Sequence, residues 1–283
     1  MQETELSIDV ATREDLETII DWAAAEGWNP GLNDAGCYHL ADRRGFLLGR
    51  LDGEVVAAIS VVRYSDTFGF LGFYMVRPDM RGRGHGLRIW KAGLEYLQGC
   101  VIGLDGVIEQ QHNYRKSGFH PAFRNIRCEA PARADLLPNT AIAPLAGLPF
   151  VAIENYMQAF FPASRPEFLR AWIDQPGATA LGCISGGSLT GIGVIRPCRN
   201  GYKIGPLVAD HADDASALWM ALVATAPPGA PVFLDVPESN PDAVAMIERF
   251  GMQRVFETAR MYQGEAPDLS IARQYGITSF EIG

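Results

Sequence analysis

Val76-Arg77-Pro78-Asp79-Met80-Arg81-Gly82-Arg83-Gly84-His85-Gly86 decides the reading of this 283-residue chain. An apolar, aromatic run at 68–75 precedes it and has the make-up of a β-strand. Leu87, Trp90, Leu94 and Leu97 follow at spacings of three and four, which places them on one face of a helix. A strand, a turn of glycine and arginine, and a helix start together make an anion site. Glycine lets the backbone come close to a ligand, the first helical N–H groups have no partner, and the helix dipole favours negative charge there. The turn predicts a phosphorylated ligand.

Upstream, Thr12 and Asp15 form a reciprocal capping pair ahead of Leu16, Ile19, Ile20 and Ala23 at helical spacing. That helix ends near Gly27, and 28–31 reads as a loop. Strand-like runs at 45–51 and 55–62 meet at Asp52-Gly53, a hairpin signal. Downstream of the helix at 86–98, a run at 101–108 reads as a strand interrupted by two glycines. A short helix around 113–117 stops at Gly118. Pro131, Pro138, Pro144 and Pro149 mark 131–149 as a linker between a domain at 1–130 and another at 150–283.

The order then recurs. A helix at 166–173 is followed by strands at 178–184 and 189–196 around Gly186-Gly187. Next come a strand at 204–208, a helix at 215–226, a strand at 232–236 and a helix at 241–250 that stops at Gly251. From hairpin glycine to final helix-stop glycine is 65 residues in the first half (Gly53 to Gly118) and 64 in the second (Gly187 to Gly251). Two copies of one supersecondary plan account for that spacing.

Hydrophobic residues make up 48% of the chain and charged residues 20%, the balance of an ordinary globular protein. The net charge is −9, and neither half is basic, which speaks against a nucleic-acid partner. Cys37, Cys100, Cys128, Cys183 and Cys198 are scattered without a C-x-x-C pair, the pattern of idle thiols in a reducing compartment, and no metal is expected. No run approaches the ~20 apolar residues of a membrane span. Acidic residues at Glu3, Glu5 and Asp9 are wrong for a secretory signal. The expectation is a cytoplasmic protein.

The turn, in its strand and helix context, resembles the fingerprint of the GCN5-related N-acetyltransferase (GNAT) superfamily, V-x-P-x-x-[QR]-x-x-G-x-[GA]. Val76, Pro78, Arg81, Gly84 and Gly86 meet each fixed place. A second family element, a tyrosine four residues before Gly-Phe, matches Tyr114-Arg115-Lys116-Ser117-Gly118-Phe119. With the repeat, the chain resembles two-domain members of that family. The resemblance implies an α/β fold class: two tandem GNAT folds, each a mixed, mostly antiparallel twisted sheet flanked by helices. It implies acetyl-CoA or another short acyl-CoA as co-substrate and a small-molecule or peptide amine as acceptor. The pyrophosphate would rest on the turn and helix start formed by Arg81, Gly82, Arg83, Gly84, His85, Gly86 and Leu87. The pantetheine would run along Tyr74, Met75 and Val76, where in this family that strand splays from the one at 101–108. Trp28, Asn29 and Tyr38 lie where the family lines its acceptor site, and Glu109 lies near the cleft. One departure stands out: the family often has asparagine seven residues before the tyrosine, and here that residue is Val107.

Acyl transfer to an amine requires removal of a proton from the amine, stabilisation of the carbonyl oxygen and protonation of the departing thiolate. Backbone amides near Met75 and Val76 suit the second task, and the Tyr114 phenol suits the third. The base is left open among Glu26, Asp34, His39, Glu109 and His112, each of which also reads as a solvated surface residue. In the second copy Asp210, Asp213 and Asp214 stand where the phosphate turn should be, and Ile247 stands at the tyrosine place. That copy reads as degenerate, with Arg165, Arg196 and Tyr202 as surface residues or contributors to the acceptor pocket. The competing function is a non-catalytic acyl-CoA-binding regulatory protein.

Overall fold

The computed structural model describes residues 5–133 and 142–283, so the part of the expected linker at 134–141 lies outside the described residues. The first half runs β1 (Ser7–Val10), α1 (Asp15–Ala25), α2 (Asp34–Ala41), β2 (Phe46–Leu51), β3 (Glu54–Arg63), β4 (Phe68–Val76), α3 (His85–Tyr96), β5 (Val101–Val107), α4 (Gln111–Lys116) and β6 (His120–Pro131). The second runs β7 (Ile142–Pro144), α5 (Phe150–Met157), α6 (Pro166–Asp174), β8 (Thr179–Ser185), β9 (Ser188–Pro197), β10 (Tyr202–Ala209), α7 (Ala212–Val223), β11 (Pro231–Pro237), α8 (Pro241–Arg249), β12 (Gln253–Gln263) and β13 (Gln274–Gly276).

Local chemistry sets many of these boundaries. The Asp15 carboxylate accepts from the Thr12 backbone N–H at 2.9 Å, and Thr12 Oγ1 accepts from the Asp15 N–H at 3.2 Å, the expected reciprocal cap. Helix α1 then buries Leu16, Ile19, Ile20 and Ala23. Asp52 and Gly53 both have positive φ, 48° and 83°, as a two-residue turn between right-twisted strands requires.

The thirteen strands of the described residues form one sheet in the order β1-β2-β3-β4-β5-β12-β6-β11-β10-β9-β8-β7, with β13 on β10. Pairing is antiparallel except for β4 with β5 and β10 with β11. Strand β12 of the second half lies between β5 and β6 of the first. It pairs with β5 from Thr258 opposite Val107 to Gln263 opposite Ile102, and with β6 from Gln253 opposite Glu129 to Tyr262 opposite His120. Strand β6 in turn pairs with β11, from Pro131 opposite Pro231 to Asn125 opposite Pro237. Each half therefore completes its sheet with the other's last long strand. Their charged residues are matched at this seam: Arg127 grips Asp235 at 2.6 and 2.8 Å, and Arg260 grips Asp105 at 2.9 and 2.7 Å.

Two further features position the site. Strands β4 and β5 stay paired only from Phe68–Val101 to Leu71–Leu104. At Phe73 β4 takes φ 45°, and its register on β3 shifts, so the strand bulges and turns away from β5. The segment after β13 then crosses to the first half. Ser60 Oγ donates to the Glu281 carbonyl at 3.1 Å and Tyr64 to that of Ile282 at 2.8 Å, while Arg165 of the second half donates to that of Gly283 at 2.9 Å. Gly72 makes the crossing possible: a Cβ there would stand 2.1 Å from the Glu281 carbonyl oxygen. Among the described residues, no helix is long and apolar enough to cross a membrane.

Candidate active site

The opening between β4 and β5 is a cavity of about 540 Å³. One wall is β4 from Leu71 to Val76, the facing wall is Leu104, Asp105 and Val107 of β5 with Tyr114 of α4, and the mouth carries Glu26, Arg81, Glu109 and Gln110. Its inner end is closed by Trp28, by Phe256 and Thr258 of β12, and by Phe280 and Glu281.

Beyond the splay, β4 has lost its β5 partner. Arg77 N donates to Val56 of β3, so by alternation the backbone of Val76 and Tyr74 faces the vacated side. A ligand with amide groups can pair with that edge as an added strand would. The turn at the end of β4 is shaped for an anion. Gly82 and Gly84 have φ of 76° and 84°, and Gly84 is a left-handed N-cap to α3 with no side chain on the first-turn N–H groups of His85, Gly86 and Leu87. Arg83 is exposed beside it.

Tyr114 is buried, its ring stacked on Trp90 at 5.4 Å and edge-on to Phe119 at 6.5 Å. A Cβ at Gly106 would come within 2.8 Å of that ring, so a glycine that weakens β5 as a strand seats the tyrosine. Burial, with a smaller contribution from the Tyr74 phenol, pushes the Tyr114 pKa well above the ordinary phenol range. That direction favours the protonated phenol near neutral pH.

Comparison with known proteins gives the frame for this geometry. The acetyltransferase (GNAT) family pattern matches residues 12–119, and a second acetyltransferase (GNAT) domain pattern matches 153–276. The chain belongs to the GNAT superfamily as a tandem member. It is an acyltransferase: a curated relative, the holothin acyltransferase of Pseudoalteromonas sp. (strain SANK 73390), is 29% identical over 273 residues, covering 96% of this chain and 93% of the relative. A putative acetyltransferase from Pyrococcus horikoshii has the same fold, with a TM-score of 0.82 at 23% identity over 100% of this chain and 98% of that one. A tandem GNAT protein from the clavulanic acid biosynthesis pathway matches at TM-score 0.63 and 15% identity, over 93% of this chain and 100% of that one.

Within this tandem GNAT protein, Tyr74, Met75, Val76, Arg81, Tyr114, Trp28 and Glu109 all line the cavity. Gly82, Arg83, Gly84, His85, Gly86 and Leu87 form the adjoining turn. Gly86 packs on the Tyr74 hydroxyl, and His85 Nδ1 is covered without a partner, so this ring does not simply face solvent. The Arg81 guanidinium holds the turn to the rest of the site, donating to the Val76 carbonyl at 2.9 Å and pairing with Glu26 across the mouth. Two residues expected at the acceptor site stand elsewhere. Asn29 clasps the second half, exchanging hydrogen bonds with the backbone of Asn200 at 2.9 and 2.8 Å. Tyr38, fully buried on α2, stands behind the cavity with its one hydroxyl proton shared between Asp34 at 3.2 Å and Glu281 at 3.3 Å. Asp34 is no surface carboxylate: it is sealed in an ion pair with Arg196 at 2.8 Å, both side chains 0% exposed. Arg196 is likewise interior, and Arg165 is half-buried, lying 3.6 Å over the Phe161 ring.

The inner wall was not readable from sequence. Phe256, Thr258, Phe280 and Glu281 carry no motif and come from the second half. The signal that existed was indirect: residues beyond 263 outrun the repeat and have no counterpart in the first copy.

The second half has the corresponding strands but a different occupant. Pairing between β10 and β11 runs from Tyr202–Val232 to Ile204–Leu234. Past that point β13 pairs with β10 at Leu207 and Val208, and Ile277 N donates to the Asp235 carbonyl of β11 at 2.9 Å. The protein's own segment thus lies where β4 and β5 leave a cavity. At the second turn, Asp210 is taken up by Tyr156 at 2.8 Å and by Arg273, and Asp214 accepts from the buried Cys183 thiol at 3.2 Å. Among the described residues, no group of three or more His, Cys, Asp and Glu is placed to hold a metal ion.

Proposed function

We propose that the first half, 1–130, moves an acetyl group from acetyl-CoA to a primary amine by direct attack, with Tyr114 as general acid, and that the second half, 150–283, is a degenerate copy that binds no acyl-CoA. The observation that carries this reading is one cavity bounded by both the vacated edge of β4 and the protonated Tyr114 phenol, with the α3 turn beyond its mouth.

Acyl-CoA would bind with its pyrophosphate on the amides of the turn from Arg81 to Leu87 and its amide-bearing arm along Tyr74 and Val76. The amine attacks the thioester carbonyl, whose developing negative charge is met by backbone N–H groups of the splayed strand. The thiolate leaves toward Tyr114. In water a phenol is a weaker acid than a thiol, but desolvation in this cavity raises the proton affinity of the thiolate as well, which keeps the transfer feasible. About 540 Å³ must accommodate both the arm and the acceptor, which favours a small amine over a folded protein surface.

The test is thiol release from acetyl-CoA across a panel of small primary amines; binding of acetyl-CoA without turnover on any of them would return the protein to the recognition role. Calorimetric titration with acetyl-CoA should give one site per chain. A stoichiometry of two would refute the inert second half, because the β13 segment would then have to leave its place between β10 and β11.

A further inference from the structure

Glu281 is a buried acid without a full set of partners. Its side chain belongs to a residue 3% exposed, Oε1 has no hydrogen-bond partner, and Oε2 has only the Tyr38 hydroxyl at 3.3 Å, whose one proton it shares with Asp34. Leaving a carboxylate oxygen unpaired in the interior forfeits its hydration with nothing in return, so an unpaired one calls for a reason. The reason is not backbone support. That is given by the Glu281 carbonyl to Ser60, and by the Glu281 N–H donating to Ser279 Oγ at 3.2 Å.

The neighbouring carboxylates are committed. Asp105 is held by Arg260 and Asn125, Asp235 by Arg127, and Asp34 by Arg196. Glu26 is tied to Arg81 at the mouth. Of the acids lining the cavity, only Glu281 is both buried and incompletely bonded. The cavity it lines also carries the aromatic rings of Trp28, Phe73, Phe256 and Phe280, with the buried Thr258 hydroxyl also unpartnered. Aromatic rings and one incompletely bonded carboxylate in the same cavity suit an amine carried on an apolar body.

We propose that Glu281 is the acceptor-binding carboxylate and general base of the first-half site, so that the acid and the base come from opposite halves of the chain. This rests on the acyl-transfer reading above and deepens it. An acceptor ammonium would pair with Oε1, which takes one of its protons directly or through one water. The freed lone pair forms the C–N bond, and collapse breaks the C–S bond. The thiolate takes the Tyr114 proton, the nitrogen sheds its second proton to the phenolate, and the proton on Glu281 passes to solvent as the amide leaves. Tyr38 is a positioning residue that fixes the carboxylate through Oε2. The other charges that reach Glu281 are Lys203 of β10 and Arg127 of β6. Lys203 donates to the Trp28 carbonyl at 3.4 Å, and Arg127 is spent on Asp235 and on the same carbonyl.

Glu281→Gln keeps size, polarity and the acceptor for Tyr38. Thiol release from acetyl-CoA with benzylamine, tryptamine and 1,4-diaminobutane should fall about 10²-fold or more in kcat near neutral pH. The Kd for acetyl-CoA, measured separately, should stay within about threefold, since no CoA contact is assigned to this side chain. The deficit should shrink as pH rises toward the amine's own pKa, where free amine no longer needs a base; a purely structural defect would not recover in this way. Glu281→Asp should fall between the two, and Tyr38→Phe should lower kcat less than Glu281→Gln. A wild type that turns over with Glu281→Gln within threefold of it overturns the role of Glu281 alone. A wild type that binds acetyl-CoA and releases no thiol with any amine overturns the transfer reading and this one together.

Discussion

Tyr114→Phe should lower kcat by about 10²- to 10³-fold while leaving acetyl-CoA affinity within a few-fold, the signature of a group used only as the thiolate departs. The substitution removes one oxygen from a ring stacked on Trp90 and seated against Gly106, so the packing survives. Tyr74 supplies the control. Its phenol lines the same cavity, tilts against Trp90 at 5.1 Å and is also raised in pKa by burial. If Tyr74→Phe proves the more damaging, the acid has been assigned to the wrong phenol. The raised Tyr114 pKa carries a further expectation with a definite sign. A group that must be protonated, and whose pKa is raised, stays active as pH rises. Hence kcat should show no alkaline fall from this residue up to about pH 10, the ordinary phenol value. A fall centred near pH 8 that disappears in Tyr114→Phe would contradict it.

The largest stability effect is expected at the seam. Arg127 of β6 and Asp235 of β11 are 3% and 2% exposed, and the guanidinium also lies 4.7 Å over the Phe280 ring. Removing one partner strands a buried charge. Arg127→Met should cost about 3–5 kcal/mol, a fall in Tm on the order of 10 °C, whereas Arg127→Met with Asp235→Leu should recover most of it. Burial by itself would raise the Asp235 pKa, but Arg127, aided by Lys203 and Arg196, outweighs it and holds the carboxylate below its usual range. Stability from a depressed carboxylate is fully present above the unfolded pKa of about 4 and is lost as pH falls through the folded value. In the single variant burial dominates and the acid protonates more readily, so its deficit should be smaller at pH 5 than at pH 7. Chemical denaturation at the two pH values measures this; a deficit that grows with acidity would rule out the pair as its source.

The sequence disclosed what is local. The Thr12–Asp15 cap, the Asp52-Gly53 hairpin, the α3 turn and Tyr114 each announce themselves within a few residues, because caps, turns and phosphate cradles are made by neighbours in the chain. Strands β6 and β12 escaped notice for a physical reason. Arg124, Arg127, Arg254, Glu257 and Arg260 break their apolar pattern and read as solvated chain. In the fold Arg127 and Arg260 are buried, matched to acids over a hundred residues away in sequence, and a window of ten residues holds no trace of such partners. The same limit hid the inner wall of the cavity. Glu281 is separated from Tyr114 by most of the second half, and its neighbour Gly72 looks like a flaw in a strand until the Glu281 carbonyl is seen against it.

The exchanged strands also set a clock on the making of this protein. When the first family match is complete at residue 119 and β6 has been synthesised, β5 and β6 still lack the strand that belongs between them. That strand leaves the ribosome more than a hundred residues later, roughly 6–25 s at typical rates of about 5–20 residues per second. During the wait two strand edges stand open, the condition under which chains pair with the wrong partner. The gap at Gly72 waits longer still, until residue 281 is made. A nascent or interrupted chain can therefore carry the whole fingerprint and Tyr114 and still have an unfinished cavity, whose inner wall is in place only once the chain has been made through residue 281.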